Sequence, residues 1–253
     1  VVFASGTDGV GAADFLTGGA YEALAGQAVQ VILAPPGESL RAAGRTVTSR
    51  PLPAGLGAVY DYEVDVARAL LRAVLNAEPR ADAGRVAAVG FGRGATDALL
   101  LAERPTSSLY PFTVRAAAAL AGFTDYTARP FREVLRNLLL DRPTVFPGGE
   151  ALAEAVLDPL REGVLPLEDA RLALLRRSPA YFTDALPPLF LRHSTSDAVV
   201  SSTHADLLLD RIDDLDRVDY EPVSGVSHEG LFARPEVQQA LALFLERHLY
   251  DGA

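Results

Sequence analysis

Two side chains in the last quarter of the sequence have the types needed for acid–base chemistry. Asp197 ends the run Ser194-Thr195-Ser196-Asp197, and His228 lies in the run Gly225-Val226-Ser227-His228. A carboxylate that accepts a hydrogen bond from an imidazole holds the ring in one tautomer and stabilises its protonated form, so such a pair acts as a general base. A third run, Gly90-Phe91-Gly92-Arg93-Gly94, has the glycines of a tight turn.

Short apolar runs alternate along the chain with amphipathic stretches, a pattern typical of parallel strands joined by crossover helices. Each of the three runs directly follows a predicted strand. Because ligands bind beyond the carboxyl ends of parallel strands, we expect the three runs to meet at one edge of the sheet. The predicted strands are Val1–Ala4, Val29–Ala34, Arg85–Gly90, Val114–Ala121 (whose alanines fit a helix equally well), Leu189–His193 and Arg217–Glu221.

Helical spacing of apolar residues, together with strand–helix alternation, predicts the connecting helices. We place one ending near Gln27 and others at about 59–76, 95–103, 202–214 and 235–248, with a long surface loop at 35–57. Residues 125–180 are helical and rich in Arg and Leu, and we interpret them as a helical insertion over the active-site face. The predicted architecture is a single α/β domain over residues 1–253, a three-layer sandwich around a mainly parallel, twisted sheet.

Four segments in this order resemble the α/β-hydrolase superfamily, in particular its dienelactone-hydrolase and prolyl-oligopeptidase branches. The run around Gly92 stands where that fold has its Gly-x-Ser-x-Gly turn. The stretches Pro188–Val200 and Gly225–His228 resemble its acid and histidine loops, and Ser5–Gly9 stands at its oxyanion loop. The resemblance spans nearly the whole chain, implies no cofactor and no metal, and implies that the first strands of the sheet lie upstream of Val1.

The resemblance assigns roles to six residues, and one of them departs from the family pattern. It implies that Asp197 orients His228 and that the backbone N–H groups of Arg93 and of Gly6 or Thr7 form an oxyanion hole. Position 92, where the family has its serine nucleophile, is Gly and has no side chain. Glycine adopts the strained turn readily, whereas a side chain there costs on the order of 1–3 kcal/mol.

Gly92 leaves three functional hypotheses open. The leading one is a catalytically impaired protein of serine-hydrolase descent that acts as a binding or structural component. The second is an active serine carboxylesterase or peptidase whose nucleophile has been replaced by engineering. The third is slow hydrolysis in which His228 acts as general base for a water molecule, an effect that supplies about 10²–10⁴-fold.

Other residues have plainer interpretations. A dinucleotide-binding turn at Gly90–Gly94 is disfavoured because the Gly-x-Gly-x-x-Gly spacing is not met. His204 and His248, at predicted helix ends, are typical of surface or capping residues, whereas His193 ends a buried strand and is typical of the core. The candidates for a substitute nucleophile are the serines expected near the same face, Ser5, Ser194, Ser196 and Ser227. The acidic group Asp206, Asp210, Asp213, Asp214 and Asp216 and the arginine group Arg129, Arg132 and Arg136 are typical of solvated helix faces.

Composition excludes several classes of function. The 253 residues carry 23 basic and 33 acidic side chains, a net charge of −10, which argues against a nucleic-acid or anionic-lipid partner. The absence of Cys excludes disulfides, zinc–thiolate sites and a cysteine nucleophile. No apolar run is long enough for a transmembrane helix. We therefore expect a soluble domain that binds a small ester or peptide ligand or a protein partner, with an exported form whose N-terminal segment has been removed as one alternative.

Overall fold

The computed structural model describes residues 1–5, 28–32, 39–42, 45–48, 62–144, 146 and 149–250. Its main element is a six-stranded sheet in the order β2-β1-β5-β6-β7-β8, in which every neighbouring pair is parallel. The strands are β1 (Val2–Ser5), β2 (Gln30–Ile32), β5 (Val86–Phe91), β6 (Val114–Leu120), β7 (Leu189–Ser194) and β8 (Val218–Val223). The parallel α/β architecture expected from the sequence is confirmed.

Helices connect these strands along most of the described chain. They are α1 (Tyr62–Ala77), α2 (Arg93–Glu103), α3 (Arg129–Leu139), α4 (Gly149–Leu152), α5 (Asp158–Arg161), α6 (Leu167–Arg176), α7 (Thr203–Leu209), α8 (His228–Phe232) and α9 (Pro235–Tyr250), with a π-helical turn at Ala153–Leu157. The segment expected to be a long loop at 35–57 contains a two-stranded antiparallel sheet, β3 (Ser39–Ala42) with β4 (Arg45–Thr48). The helix expected over 202–214 ends at Leu209, and Asp214 instead caps a short 3₁₀ turn by accepting the Asp216 N–H.

The buried strand β5 explains why both faces of the sheet are covered. Its side chains alternate, so that Val86 and Ala88 pack against one apolar cluster while Ala87 and Val89 pack against another. The first cluster contains residues of α1, α2 and α7, such as Leu71, Leu99 and Leu208. The second contains residues of α8 and α9, such as Leu231, Leu241 and Phe244. The sheet is therefore the middle of three layers, as the sequence predicted.

A third apolar cluster belongs to the helices between β6 and β7. It contains an aromatic group, Phe123, Tyr126, Phe131 and Phe146, whose rings meet mostly edge to face at centroid distances from 4.8 to 6.3 Å. Val200, three residues beyond Asp197, packs into the same cluster. The predicted helical insertion at 125–180 therefore has its own apolar core, which reaches the loop after β7.

Candidate active site

The turn between β5 and α2 has an unusual backbone at Gly92. This residue has φ 58° and ψ −123°, a left-handed φ that side chains tolerate poorly, and its N–H donates to the carbonyl of Leu120 at 2.9 Å. Gly90 is required for a different reason, because a Cβ there would lie 1.9 Å from the carbonyl oxygen of Gly94. The chain thus passes from a central strand into a helix through a tight turn, with residue 92 at the carboxyl end of the sheet.

Asp197 and His228 are brought into contact at the same edge of the sheet. The Nδ1 atom of His228 lies 2.7 Å from Oδ2 of Asp197, whose side chain is fully buried. The other carboxylate oxygen, Oδ1, accepts the N–H groups of Val199 and Val200, each at 2.8 Å. Burial raises the pKa of Asp197, but the hydrogen bonds from His228, Val200 and Val199 outweigh it, so that the pKa is lowered overall. Asp197 is therefore an ionised acceptor, and Nδ1 of His228 carries the hydrogen between them.

Two serines hold the loops that carry this pair. Oγ of Ser194, the last residue of β7, donates to the carbonyl of Val226 at 2.6 Å and so joins the acid loop to the histidine loop. Oγ of Ser227 accepts the N–H of Gly230 at 3.1 Å and caps α8, the short helix that begins at His228. Both hydroxyls thus have structural partners in the loops.

Nε2 is the ring nitrogen of His228 that does not contact Asp197. The side chain is 4% exposed, and its Nε2 is buried and has no hydrogen-bond partner among the residues that the structure describes. The ring packs on Phe91 at a centroid distance of 4.7 Å, and Phe91 directly precedes Gly92. With Nδ1 protonated, Nε2 of the neutral ring has a lone pair, so it can accept a proton from a neighbouring group.

Two further histidines lie behind the acid loop, and sequence reasoning assigned them no part in the site. Nε2 of His193 is 3.0 Å from the carbonyl of Val200 and 3.7 Å from Oδ2 of Asp197, whereas its Nδ1 is buried and finds no partner within the described part of the chain. Nδ1 of His204 accepts the N–H of Thr124 at 3.3 Å. Burial, with a smaller effect from His193, lowers the pKa of His204 to about 4 against the opposing charge of Asp125. His204 is therefore a buried neutral group, and its expected place at the surface is wrong, because its ring packs on Phe123 and bonds the N–H of Thr124.

No protein-family model and no curated protein matches the sequence of this chain. Solved structures do match its fold. Acylaminoacyl peptidase from Pyrococcus horikoshii aligns over 98% of this chain and 36% of its own, with a TM-score of 0.63 and 17% identity. A puromycin-hydrolyzing peptidase of Mycobacterium tuberculosis aligns over 98% and 34%, with a TM-score of 0.58 and 19% identity. A truncated carbohydrate esterase from gut microbiota aligns over 98% and 84%, with a TM-score of 0.60 and 14% identity.

The chain has the α/β-hydrolase fold. At 14–19% identity these likenesses concern the fold, which agrees with the resemblance read from the four sequence segments. The chain spans about a third of the length of the two peptidases.

Of the three residues expected to form the oxyanion hole of this hydrolase-fold chain, the structure describes one. Gly6 and Thr7, expected to serve the oxyanion hole, lie outside the described residues. Arg93 is the first residue of α2 and is 8% exposed. Its N–H belongs to the first turn of that helix, where N–H groups have no intrahelical acceptor, so its oxyanion role stays a prediction.

The arginine group and the acidic group are both exposed to solvent. The side chains of Arg129, Arg132 and Arg136 are exposed along α3, and so are those of the acidic group from Asp206 to Asp216. Among the residues that the structure describes, no cluster of His, Cys, Asp or Glu has the arrangement of a metal site. None of the described helices is both long and apolar enough to cross a membrane.

Proposed function

We propose that this chain is an α/β-hydrolase-fold protein that binds an ester- or peptide-like ligand without forming an acyl-enzyme. The observation that carries the proposal is Gly92, a residue without a side chain at the turn where the fold's serine nucleophile is expected. An acyl-enzyme requires an oxygen or sulfur nucleophile on the protein. The chain has no Cys, and the serines Ser194 and Ser227 have structural hydrogen bonds in the loops.

The rest of the arrangement supports descent from a serine hydrolase. Asp197 holds His228 by Nδ1, and the His228 ring packs on Phe91, the residue before Gly92, which fits a base that serves residue 92. Solved structures with the same fold include peptidases and an esterase. By analogy of fold, we infer that ligands of this chain contain a carboxylic ester or amide group.

One alternative is an active serine carboxylesterase or peptidase in which the serine at position 92 has been replaced. The complete Asp197–His228 pair favours it, because a working triad needs that hydrogen bond. The source gene decides between the two. A serine codon at position 92 would rule out the binding role proposed here, whereas a glycine codon rules out the engineered form.

Restoring the hydroxyl tests the proposal directly. We expect the present protein to hydrolyse p-nitrophenyl butyrate no faster than a His228→Ala variant, and to stay unlabelled by a fluorophosphonate that reacts with activated serine. In Gly92→Ser we expect labelling and a rate increase of about 10²-fold or more, because a positioned base activates the new hydroxyl. Both should disappear in Gly92→Ser/His228→Ala.

Matched controls separate the restored site from an added serine. Gly163→Ser introduces a hydroxyl at a glycine with a positive φ of 74°, far along the chain from the site, where no described residue lies within 4 Å of a Cβ. It should show neither labelling nor turnover. Covalent labelling of the unsubstituted protein would overturn the proposal. Turnover without labelling, lost in His228→Ala, would instead show that His228 activates water.

A further inference from the structure

His193 is a buried side chain on β7 that lies against the loop carrying Asp197. Its side chain is 1% exposed, and its Nε2 lies 3.0 Å from the carbonyl oxygen of Val200. Because a carbonyl oxygen only accepts hydrogen bonds, the hydrogen of the neutral ring is on Nε2. Nδ1 then has a lone pair and is buried without a donor in the parts of the chain that the structure describes. The hydrogen bond to Val200 therefore fixes both the tautomer and the orientation of the ring.

Val200 is held from two sides, by Asp197 and by His193. Its N–H donates to Oδ1 of Asp197 at 2.8 Å, while its carbonyl accepts the Nε2–H of His193. Its side chain is fully buried in the apolar cluster of the insertion. Removing the imidazole would take a donor away from a buried carbonyl, which is costly. The imidazole thus closes the loop at the residue that presents its N–H to the carboxylate.

Oδ2 of Asp197 lies between two imidazole rings at different distances. Nδ1 of His228 is 2.7 Å away and hydrogen-bonded, whereas Nε2 of His193 is 3.7 Å away, too far for a hydrogen bond. The hydrogen on Nε2 of His193 is shared with the carbonyl of Val200 instead. This oxygen of the carboxylate is therefore left to His228.

The groups that face His193 leave its ring neutral. Burial lowers the pKa of His193 most, and His228, when protonated, lowers it further. The bonded carbonyl, Asp197 and Asp206 raise the pKa, but the net shift is downward. His204, the other histidine behind the loop, has a pKa of about 4 and is neutral as well. A second imidazolium would compete with His228 for Asp197, and a neutral ring does not.

We propose that His193 is a positioning residue for the Asp197–His228 pair. Its Nε2–H holds the Val200 carbonyl, which keeps the Val200 N–H on Oδ1 of Asp197, and its neutral ring leaves Oδ2 to His228. One carboxylate oxygen is thus fixed by backbone donors and the other is reserved for a single imidazole. The inference goes beyond the binding role proposed above and does not depend on it, since it applies with glycine or serine at position 92.

¹⁵N NMR of the unsubstituted protein tests the protonation pattern. The chain has four histidines, so their ring nitrogens can be assigned individually. At about pH 7.5 we expect His193 to have its hydrogen on Nε2 alone and His228 to have one on Nδ1. A second hydrogen on His193, or a hydrogen on its Nδ1 in place of Nε2, overturns the inference.

Two neutral amides of different reach test the contact with Val200. The side-chain nitrogen of glutamine stands where Nε2 of histidine does, whereas that of asparagine stands where Nδ1 does. His193→Gln should keep the downfield proton resonance of the His228 Nδ1–H and the slow exchange of the Val200 N–H, measured relative to amides of β6. In His193→Asn the resonance should be lost, and this exchange should become faster by about tenfold or more, the effect of one lost buried hydrogen bond.

His204→Asn is the matched control for a general loss of packing. His204 is 2% exposed, and its ring packs on Phe123 and accepts the Thr124 N–H. This variant should unfold at lower urea concentration and leave the His228 resonance and the relative Val200 exchange unchanged. Equal behaviour of His193→Gln and His193→Asn, or the same change in His204→Asn, contradicts the inference. Should His193→Asn not fold, the tautomer of His193 and the exchange in His193→Gln decide.

Discussion

The two halves of the candidate site differ in what folding requires of them. Asp197 is buried with three N–H donors, so removing its partner His228 would leave a costly buried charge. A hydroxyl at position 92 has no such role, and a side chain there strains a backbone with φ 58°. The acid–histidine pair can therefore persist for structural reasons alone, whereas a serine at position 92 persists only where its chemistry is needed.

Within the turn, Gly90 and Gly92 are required for different reasons. Position 90 requires glycine because a Cβ there would lie 1.9–2.4 Å from backbone atoms of Gly94 and Ala95. Gly92 is favoured by its left-handed φ of 58°. Three substitutions, two in the turn and one in the acid–histidine pair, test what each part contributes to folding, beginning with the largest expected effect.

Gly90→Ala should lower the free energy of unfolding by about 4 kcal/mol or more, because the new methyl meets rigid backbone in the buried centre of the sheet. Urea denaturation followed by circular dichroism measures it. Gly84→Ala is the matched control, since its Cβ would lie 3.2 Å from the mobile Oδ1 of Asp82. A Gly90→Ala protein as stable as this control would show that the turn is not packed as described.

Asp197→Asn should destabilise the fold by about 3 kcal/mol at pH 7, because it removes the charge that three donors share and sets an amide NH₂ against Nδ1 of His228. The pKa of Asp197 is lowered in the folded protein, so its contribution is complete above about pH 4, the unfolded value, and is lost as the pH falls through the folded value.

Unfolding at several pH values checks this sign. The difference between the original protein and Asp197→Asn should shrink as the pH falls below about 4. Asp213→Asn, at an exposed position, should show no comparable difference at pH 7. A gap between the two proteins that stays constant down to pH 3 would argue that Asp197 contributes through its shape and not its charge.

Gly92→Ala should cost about 1–2 kcal/mol, the strain of a side chain at a positive φ. Gly163→Ala, at φ 74° with nothing within 4 Å of the new Cβ, should cost a similar amount. Thermal or urea unfolding of both variants gives the comparison. A Gly92→Ala protein as stable as the original would remove strain as the reason why glycine suits this turn.

Sequence patterns predicted the main helices and strands of the described chain to within a few residues, because apolar periodicity reflects burial directly. β5 was expected at Arg85–Gly90 and lies at Val86–Phe91, and the alanine-rich run at 114–121 is strand β6. Patterns failed where short-range signals are weak. Residues 35–57, rich in Pro and Gly, conceal the hairpin β3–β4, and the polar start of α7 conceals the burial of His204.

The sequence by itself determined the α/β class, the three chemically suggestive runs after strands, and the absence of a nucleophile at Gly92, since these depend on residue type and local order. Tertiary structure alone decided that Nδ1 of His228 contacts Asp197, that Nε2 is buried with no partner in the described parts of the chain, and that His193 and His204 lie behind the acid loop. These contacts join residues that are distant in the chain or lie on loops whose paths no local pattern fixes. Packing between elements decides how deeply a group is buried and which atoms it contacts. Burial and contacts in turn set the pKa of the group and so its charge.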